Sequence, residues 1–221
     1  MQPLSMIQTI TIWIIPLLLA ITLHEAAHAW LASLCGDTTA KRLGRLSMNP
    51  LNHIDPMGTI VVPIIMGLLS GFQFMFGWAK PVPIQWQHLR HPRRDMALVA
   101  FAGPAANLIM TFLWAICAKL ALVWDPMHSK IALFMLGSGE AGIMINLVLA
   151  LLNLLPIPPL DGSRMFTSIL PYRVVKYYML LEPFGFLIII VLLVTGILGT
   201  LIHYPMIWLQ YYIHILFHMT V

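Results

Sequence analysis

Four apolar stretches, each long enough to cross a lipid bilayer, constrain the fold of this chain more than any other feature. A helix needs about 20 apolar residues to cross the hydrocarbon core, and the stretches that reach this length are 7–34, 96–124, 131–155 and 179–202. Only 9% of the 221 residues are charged, whereas a soluble domain carries about 25%. The sequence therefore predicts an all-α polytopic membrane protein with about four full transmembrane helices.

Two further apolar segments are expected to enter the membrane only partly. The segment 58–79 is interrupted by Pro63, Gly67, Gly71 and Gly77, and irregular backbone at membrane depth is tolerated only against protein or a wet cavity. We expect a re-entrant hairpin or two half-helices there, with a full crossing as the alternative. The tail 204–218 is rich in aromatic residues and has no Lys or Arg, which predicts an interfacial or partly inserted C-terminal helix.

The basic residues predict the orientation. Cytoplasmic loops of membrane proteins carry an excess of Lys and Arg, and placing all three basic clusters in the cytoplasm puts the N-terminus outside and makes 58–79 re-entrant. The formal charge of +4 lies in these clusters and not on one basic face with interleaved aromatics, so nucleic-acid binding is not indicated. We expect an integral protein of a bacterial cytoplasmic membrane. The clusters are Lys41, Arg42 and Arg45; Lys80, Arg90, Arg93 and Arg94; and Arg164, Arg173 and Lys176.

The first apolar stretch contains the sequence HEAAH, with His24, Glu25 and His28. Histidines four residues apart lie on one face of a helix and can bind one zinc ion, while the adjacent glutamate can take a proton from a zinc-bound water. Ionisable residues inside a membrane span cost free energy and usually serve function. The pattern therefore predicts a catalytic zinc site with one ion per chain; a polar cluster at a helix end is the alternative.

Zinc in catalytic sites takes a third protein ligand and keeps one open position. Asp161 follows the third long stretch, which ends on the same side of the membrane as the first stretch. Prolines at 156, 158 and 159 stop the helix and favour extended backbone, which predicts short extended segments near the site. We expect Asp161 to be the third ligand, and its alternative role is to cap a helix that begins near 162–164.

Five motifs occur in the order seen in one family. HEAAH, GRLSMNPLNHIDPMGT (44–59), FGWAKPVP (76–83), AGPAAN (102–107) and NLLPIPPLDG (153–162) together resemble the site-2 proteases, which are intramembrane zinc metalloproteases. The resemblance implies a three-helix catalytic core, zinc held by His24, His28 and Asp161, and Glu25 as the general base. It also implies cleavage of the transmembrane segments of other membrane proteins.

Three further residues have alternative interpretations. Asn153 matches a family asparagine that contacts the substrate backbone or the oxyanion, and an amide donor near zinc would stabilise such a charge; the alternative is an ordinary asparagine at a helix end. His53 could act beside Asn153, or could be a loop histidine held by Asp55. Asn107 is more consistent with hydrogen bonding between helices than with contact to substrate.

The whole chain is expected to form one membrane-embedded protease domain, with a catalytic core at about 7–175 and C-terminal helices at 176–221. Its partners would be the lipid bilayer and transmembrane substrates, which could add a strand to the hairpin or to the GWAKPVP segment. A membrane zinc transporter or channel is the second hypothesis, although it predicts metal ligands at several depths and inverted repeats. A catalytically inactive scaffold is disfavoured because Glu25 and the three candidate ligands are all present. The oligomeric state and the substrate's identity remain open.

Overall fold

The computed structural model describes residues 6–70, 77 and 79–219. These residues form helices joined by short irregular connections, and no strand occurs among them, in agreement with the predicted all-α class. The α-helices are α1 (Met6–Leu34), α2 (Thr39–Arg42), α3 (Val62–Ser70), α4 (Pro92–Val123), α5 (Lys130–Asn153), α6 (Asp161–Ile169), α7 (Tyr172–Tyr178), α8 (Gly185–Val194) and α9 (Ile197–Leu216).

Four helical stretches of the described chain are long and apolar enough to cross a membrane: Ile7–Leu34, Pro92–Val123, Lys130–Asn153 and Tyr172–Val194. The first three match the predicted spans within a few residues. The fourth was predicted at 179–202 and is wrong in its bounds. It begins earlier, and it ends before Gly196 because the backbone there adopts a φ of +76°, a left-handed conformation that interrupts an α-helix.

The helices α1, α4 and α5 pack against one another and form the core of the molecule. Their contacts use small side chains, as is usual where helices associate inside a membrane. At Gly139, for example, an added Cβ would lie 2.7 Å from the Cβ of Ala118, so the two helices meet almost backbone to backbone. This close approach makes α4 and α5 a tightly packed pair, and both also contact α1.

The C-terminal helix α9 packs against α5 and, less extensively, against α4. Ile213 and Met219 join the apolar core of these helices, and Lys119 donates a hydrogen bond to the His218 carbonyl at 2.9 Å. Lys119 thus satisfies a carbonyl just after the end of α9. Oε2 of Glu140 lies 3.1 Å from His214 Nε2.

Residues 58–70 are helical, whereas Gly77 and Ala79 have no regular secondary structure. A π-helical segment, Pro56–Val61, continues into α3, and Asp55 caps its beginning by accepting hydrogen bonds from the N–H groups of Met57 and Gly58. Residues 71–76 and 78 lie outside the described residues. The choice between a re-entrant hairpin and a full crossing therefore remains a prediction.

Candidate metal centre

The candidate ligands His24, His28 and Asp161 come together at the centre of the helical core. The Nε2 atoms of His24 and His28 are 3.1 Å apart, and Oδ2 of Asp161 lies 3.1 Å from the first and 3.3 Å from the second. Zinc bonds of about 2.0–2.1 Å in a tetrahedral site place neighbouring ligand atoms about 3.3–3.4 Å apart. The observed triangle has almost these dimensions.

Hydrogen bonds on the far side of each ring orient the two imidazoles. Nδ1 of His24 lies 2.6 Å from Oδ1 of Asn107, and Nδ1 of His28 lies 2.7 Å from the carbonyl oxygen of Val99. Both oxygens can only accept, so both Nδ1 atoms must donate. Each Nε2 is then left with a lone pair that points at the centre of the triangle, as a metal-binding histidine requires.

Asp161 completes the triangle from the first turn of α6. No hydrogen bond from its side chain caps α6, so the capping role is not what the structure shows. Oδ2 of Asp161 is buried without a hydrogen-bond partner among the described residues. The three facing atoms are thus all acceptors, and a cation at their centre would satisfy them together.

Gly103 forms the wall of the site on α4. A Cβ at this position would lie 2.6 Å from His24 Nε2 and closer still to His28 Nε2. The absence of a side chain therefore leaves the space that a metal ion needs. A glycine inside an apolar helix is compatible with simple close packing of helices. The partners of Gly103 lie some 75 residues earlier in the chain, so no local pattern could have identified this role.

The third ligand depends on the proline-rich segment that precedes it. The backbone at Gly162 lies so close to the carbonyls of Leu154 and Leu155 that no Cβ would fit. Tyr178 donates its hydroxyl hydrogen to the Pro156 carbonyl at 2.7 Å. The end of α5 and the beginning of the fourth span thus hold the turn that presents Asp161.

Glu25 lies on the side of α1 that faces the segment 79–85. Its Oε2 accepts a hydrogen bond from the Val82 N–H at 2.8 Å, and the side chain is half-buried. This contact orients the carboxylate of Glu25, which directly follows the candidate ligand His24 in the sequence. The sequence predicted a catalytic role for Glu25 but did not identify Val82 as its partner.

The segment 79–85 has no regular secondary structure, and its hydrogen-bonding groups are largely occupied. The Lys80 N–H donates to the His53 carbonyl at 2.9 Å, the Val82 N–H donates to Glu25, and residues 81 and 83 are prolines. Arg45 donates to the carbonyl of Lys80 at 3.1 Å. The N–H groups of 80–83 are thus used or absent, so a substrate strand could pair there only through carbonyl oxygens, and strand addition at GWAKPVP stays a prediction.

Asp37 anchors the other end of this segment and was missed in the sequence. It is buried, and it accepts hydrogen bonds from the N–H groups of Gln85 at 2.7 Å and Thr39 at 3.0 Å. Burial raises the pKa of the Asp37 carboxyl, but these bonds and that from the Thr39 hydroxyl outweigh burial and lower it below its ordinary value. An aspartate directly after a predicted span was the available signal.

The structure does not bring the two remaining candidates into contact with the triangle. Asn153 is the last residue of α5, and its Nδ2 donates to the Leu149 carbonyl at 3.1 Å. His53 is buried, and its Nε2 contacts the Ser47 carbonyl at 2.8 Å. Asp55 caps the following helical turn, and Nδ1 of His53 has no hydrogen-bond partner among the described residues, so the interpretation that Asp55 holds His53 is wrong. Catalytic roles for Asn153 and His53 stay predictions.

Comparison with known proteins gives the same family as the motifs. The profile of peptidase family M50 matches residues 132–194. The chain is 39% identical over 196 residues to "Putative zinc metalloprotease YwhC" of Bacillus subtilis, covering 87% of this chain and 84% of that protein. It is 33% identical over 198 residues to "Putative zinc metalloprotease Rip2" of Mycolicibacterium smegmatis, covering 90% and 72%. No solved structure matches the chain. Together with the apolar helices, these matches show that the chain is a membrane zinc metalloprotease that belongs to peptidase family M50, the site-2 protease family.

Proposed function

We propose that this protein hydrolyses peptide bonds within or near the transmembrane segments of other membrane proteins. The observation that carries the proposal is the position of the ligand triangle. His24 and His28 belong to a helix of 28 residues that is apolar enough to cross the membrane, and they lie about 9–15 Å from its end at 1.5 Å per residue. A hydrolytic centre at this depth suits a substrate that is itself in the bilayer.

The roles of the residues follow from their contacts. His24, His28 and Asp161 would hold zinc, which when bound polarises a carbonyl and makes water a stronger acid. Glu25, oriented by the Val82 N–H, takes the proton of the attacking water and delivers it to the departing amine. The Asn153 amide has two hydrogens, of which Leu149 accepts one, and the other is available to a developing oxyanion.

The substrate must present extended backbone to be cut, because the carbonyls of a helix are already hydrogen-bonded. The segment 80–83 cannot pair with it as a donor edge, since its N–H groups are used or absent. The remaining residues of the expected hairpin, 71–76, lie outside the described residues. We propose that this hairpin, and not 80–83, receives the unwound substrate.

The basic clusters support an active site that opens toward the cytoplasm of a bacterium. They flank the cytoplasmic ends of α1, α4 and α5 in the predicted orientation, and the relatives compared above come from bacteria. Water then needs to reach only part-way into the membrane to meet Glu25.

A zinc transporter or channel is the alternative and has less support. A transport path would need ligand sets at several depths. Within the described ranges, the groups able to hold a metal form one cluster, which is His24, His28 and Asp161. The glutamate beside it also has a use in hydrolysis and none in simple passage of an ion.

The proposal is tested by cleavage of single-span substrates by the purified full chain in detergent with zinc. Glu25→Gln should abolish cleavage, because the amide cannot accept the proton. It should still bind about one zinc per chain, because Glu25 is not one of the proposed ligands. Glu140→Gln is the matched control, since it makes the same chemical change on α5 away from the triangle, and it should cleave as the wild type does. Cleavage by Glu25→Gln at the wild-type rate would contradict the mechanism.

A further inference from the structure

A buried chain of amide side chains connects α5 to the first zinc-ligand candidate. Asn107 on α4 accepts from His24 Nδ1 at 2.6 Å, and its Nδ2 donates to Oδ1 of Asn146 on α5 at 2.9 Å. Nδ2 of Asn146 in turn donates to the Gly142 carbonyl at 2.8 Å. Both asparagines are fully buried, so none of these groups can exchange its partner for bulk water.

The direction of each hydrogen bond in this chain is determined by its far end. The Gly142 oxygen can only accept, so Asn146 must turn its NH₂ toward Gly142 and its oxygen toward Asn107. Asn107 must therefore turn its own NH₂ toward Asn146, and its oxygen faces His24. His24 is then obliged to carry its hydrogen on Nδ1, which leaves Nε2 bare toward the site.

The opposite arrangement would block the metal. If the Asn107 amide turned over, an N–H would face Nδ1 of His24, and that ring would have to carry its hydrogen on Nε2. A protonated Nε2 cannot bind zinc. Two hydrogen bonds donated by Nδ2 of Asn107 keep its amide from turning over. The bond to the Ala20 carbonyl is 3.3 Å long, and the bond to Asn146 is the shorter one at 2.9 Å.

We propose that Asn146 is a positioning residue of the zinc site, which acts through Asn107 to place the hydrogen of His24 on Nδ1. The inference rests on the proposed ligand set. It assigns a role in metal binding to a residue that contacts neither the ligands nor a substrate. Outer hydrogen-bond partners of this kind typically change metal affinity by about 10–100-fold.

The test compares three α5 variants of the full chain by zinc competition with a chelator. Asn146→Leu removes the acceptor and should weaken zinc binding at least about tenfold. Asn146→Asp should bind zinc nearly as the wild type does, because a buried neutral carboxyl offers one donor and one acceptor like the amide. Ser138→Ala is the control, since its buried hydroxyl has no hydrogen-bond partner in the described chain, and it should leave zinc affinity unchanged.

Wild-type affinity in Asn146→Leu would overturn the proposal, as would equal weakening in Asn146→Leu and Asn146→Asp. His24→Ala separates this failure from that of the ligand set. If His24→Ala loses zinc while Asn146→Leu keeps full affinity, only the positioning role is refuted. If His24→Ala retains zinc, the ligand assignment itself is refuted.

A second measurement reads the tautomer of His24 directly in the wild-type chain. The metal-free wild-type chain, labelled with ¹⁵N-histidine, should show His24 as the Nδ1–H form in a long-range ¹H–¹⁵N spectrum, with the signal assigned by its loss in His24→Ala. An Nε2–H form would overturn the inference.

Discussion

Gly103→Ala should remove most zinc binding while adding only one methyl group. The new Cβ would lie 2.6 Å from His24 Nε2, whereas an ordinary contact starts at about 3.4 Å, so the ring must withdraw by about 0.8 Å. His28 is closer and must move further. Both rings are tethered at Nδ1 by bonds of 2.6 and 2.7 Å, and these bonds would stretch out of range.

The size of the effect follows from these two tethers. Losing a buried hydrogen bond costs about 1–3 kcal/mol, so the two imidazoles together account for about 2–6 kcal/mol. This corresponds to roughly a 30-fold to 10⁴-fold loss of zinc affinity. The change acts on the metal-binding geometry and not on the apolar helix surfaces, so the variant should still purify as a folded helical protein.

Zinc per chain by elemental analysis and zinc affinity by chelator competition measure this loss, and circular dichroism checks the helices. Gly199→Ala is the matched control, because an added Cβ there meets nothing within 4 Å, and it should bind zinc normally. Unchanged zinc affinity in Gly103→Ala would refute the conclusion that α4 leaves this space for the ion.

Three other variants test the supports of the site. Because the pKa of Asp37 is lowered in the folded state, its stabilisation is present above about pH 4 and is lost as pH falls through the folded value. Asp37→Asn should therefore cost about 1.5–3 kcal/mol at neutral pH, seen as a lower unfolding temperature whose deficit shrinks below about pH 4; a deficit independent of pH would contradict this. Val82→Pro removes the N–H that orients Glu25 and should lower kcat about tenfold or more without loss of zinc, whereas loss of zinc would show a wider role. Gly185→Ala would push a Cβ into the carbonyl of Pro158 and should weaken zinc binding through the displaced turn; unchanged zinc affinity would contradict that coupling.

The sequence predicted the elements whose signals are local. Apolar length alone located α1, α4 and α5 within a few residues, because no other structure satisfies the backbone in lipid. The spacing of His24 and His28 and the proline-broken segment before Asp161 were sufficient to predict the convergence that the structure shows.

The features that the sequence missed depend on contacts between distant parts of the chain. The space left at Gly103 matters because two imidazoles from α1 point at it, and Asn146 gains its importance through an amide on α4. A glycine or asparagine inside an apolar helix is compatible with simple packing, so neither pattern could distinguish the two roles. The predicted end of the fourth span was wrong for a different reason. The apolar stretch continues past Gly196, and only the backbone conformation of this glycine ends the helix.

Hydrogen-bond satisfaction limits the idea of strand addition at 80–83. The extended, proline-rich GWAKPVP segment was expected to offer an edge to which a substrate strand could pair. The N–H groups of 80–83 are instead used to hold Glu25 and His53, which the sequence could not show because both acceptors lie at least 27 residues earlier.

X-ray absorption at the zinc edge of the purified full chain tests the ligand set most directly. Binding by His24, His28 and Asp161 predicts nitrogen and oxygen neighbours at about 2.0–2.1 Å, with two imidazoles and no sulfur. Asp161→Ala should change this spectrum or lose the metal. A sulfur neighbour at about 2.3 Å, or an identical spectrum with full zinc in Asp161→Ala, would contradict the proposed centre.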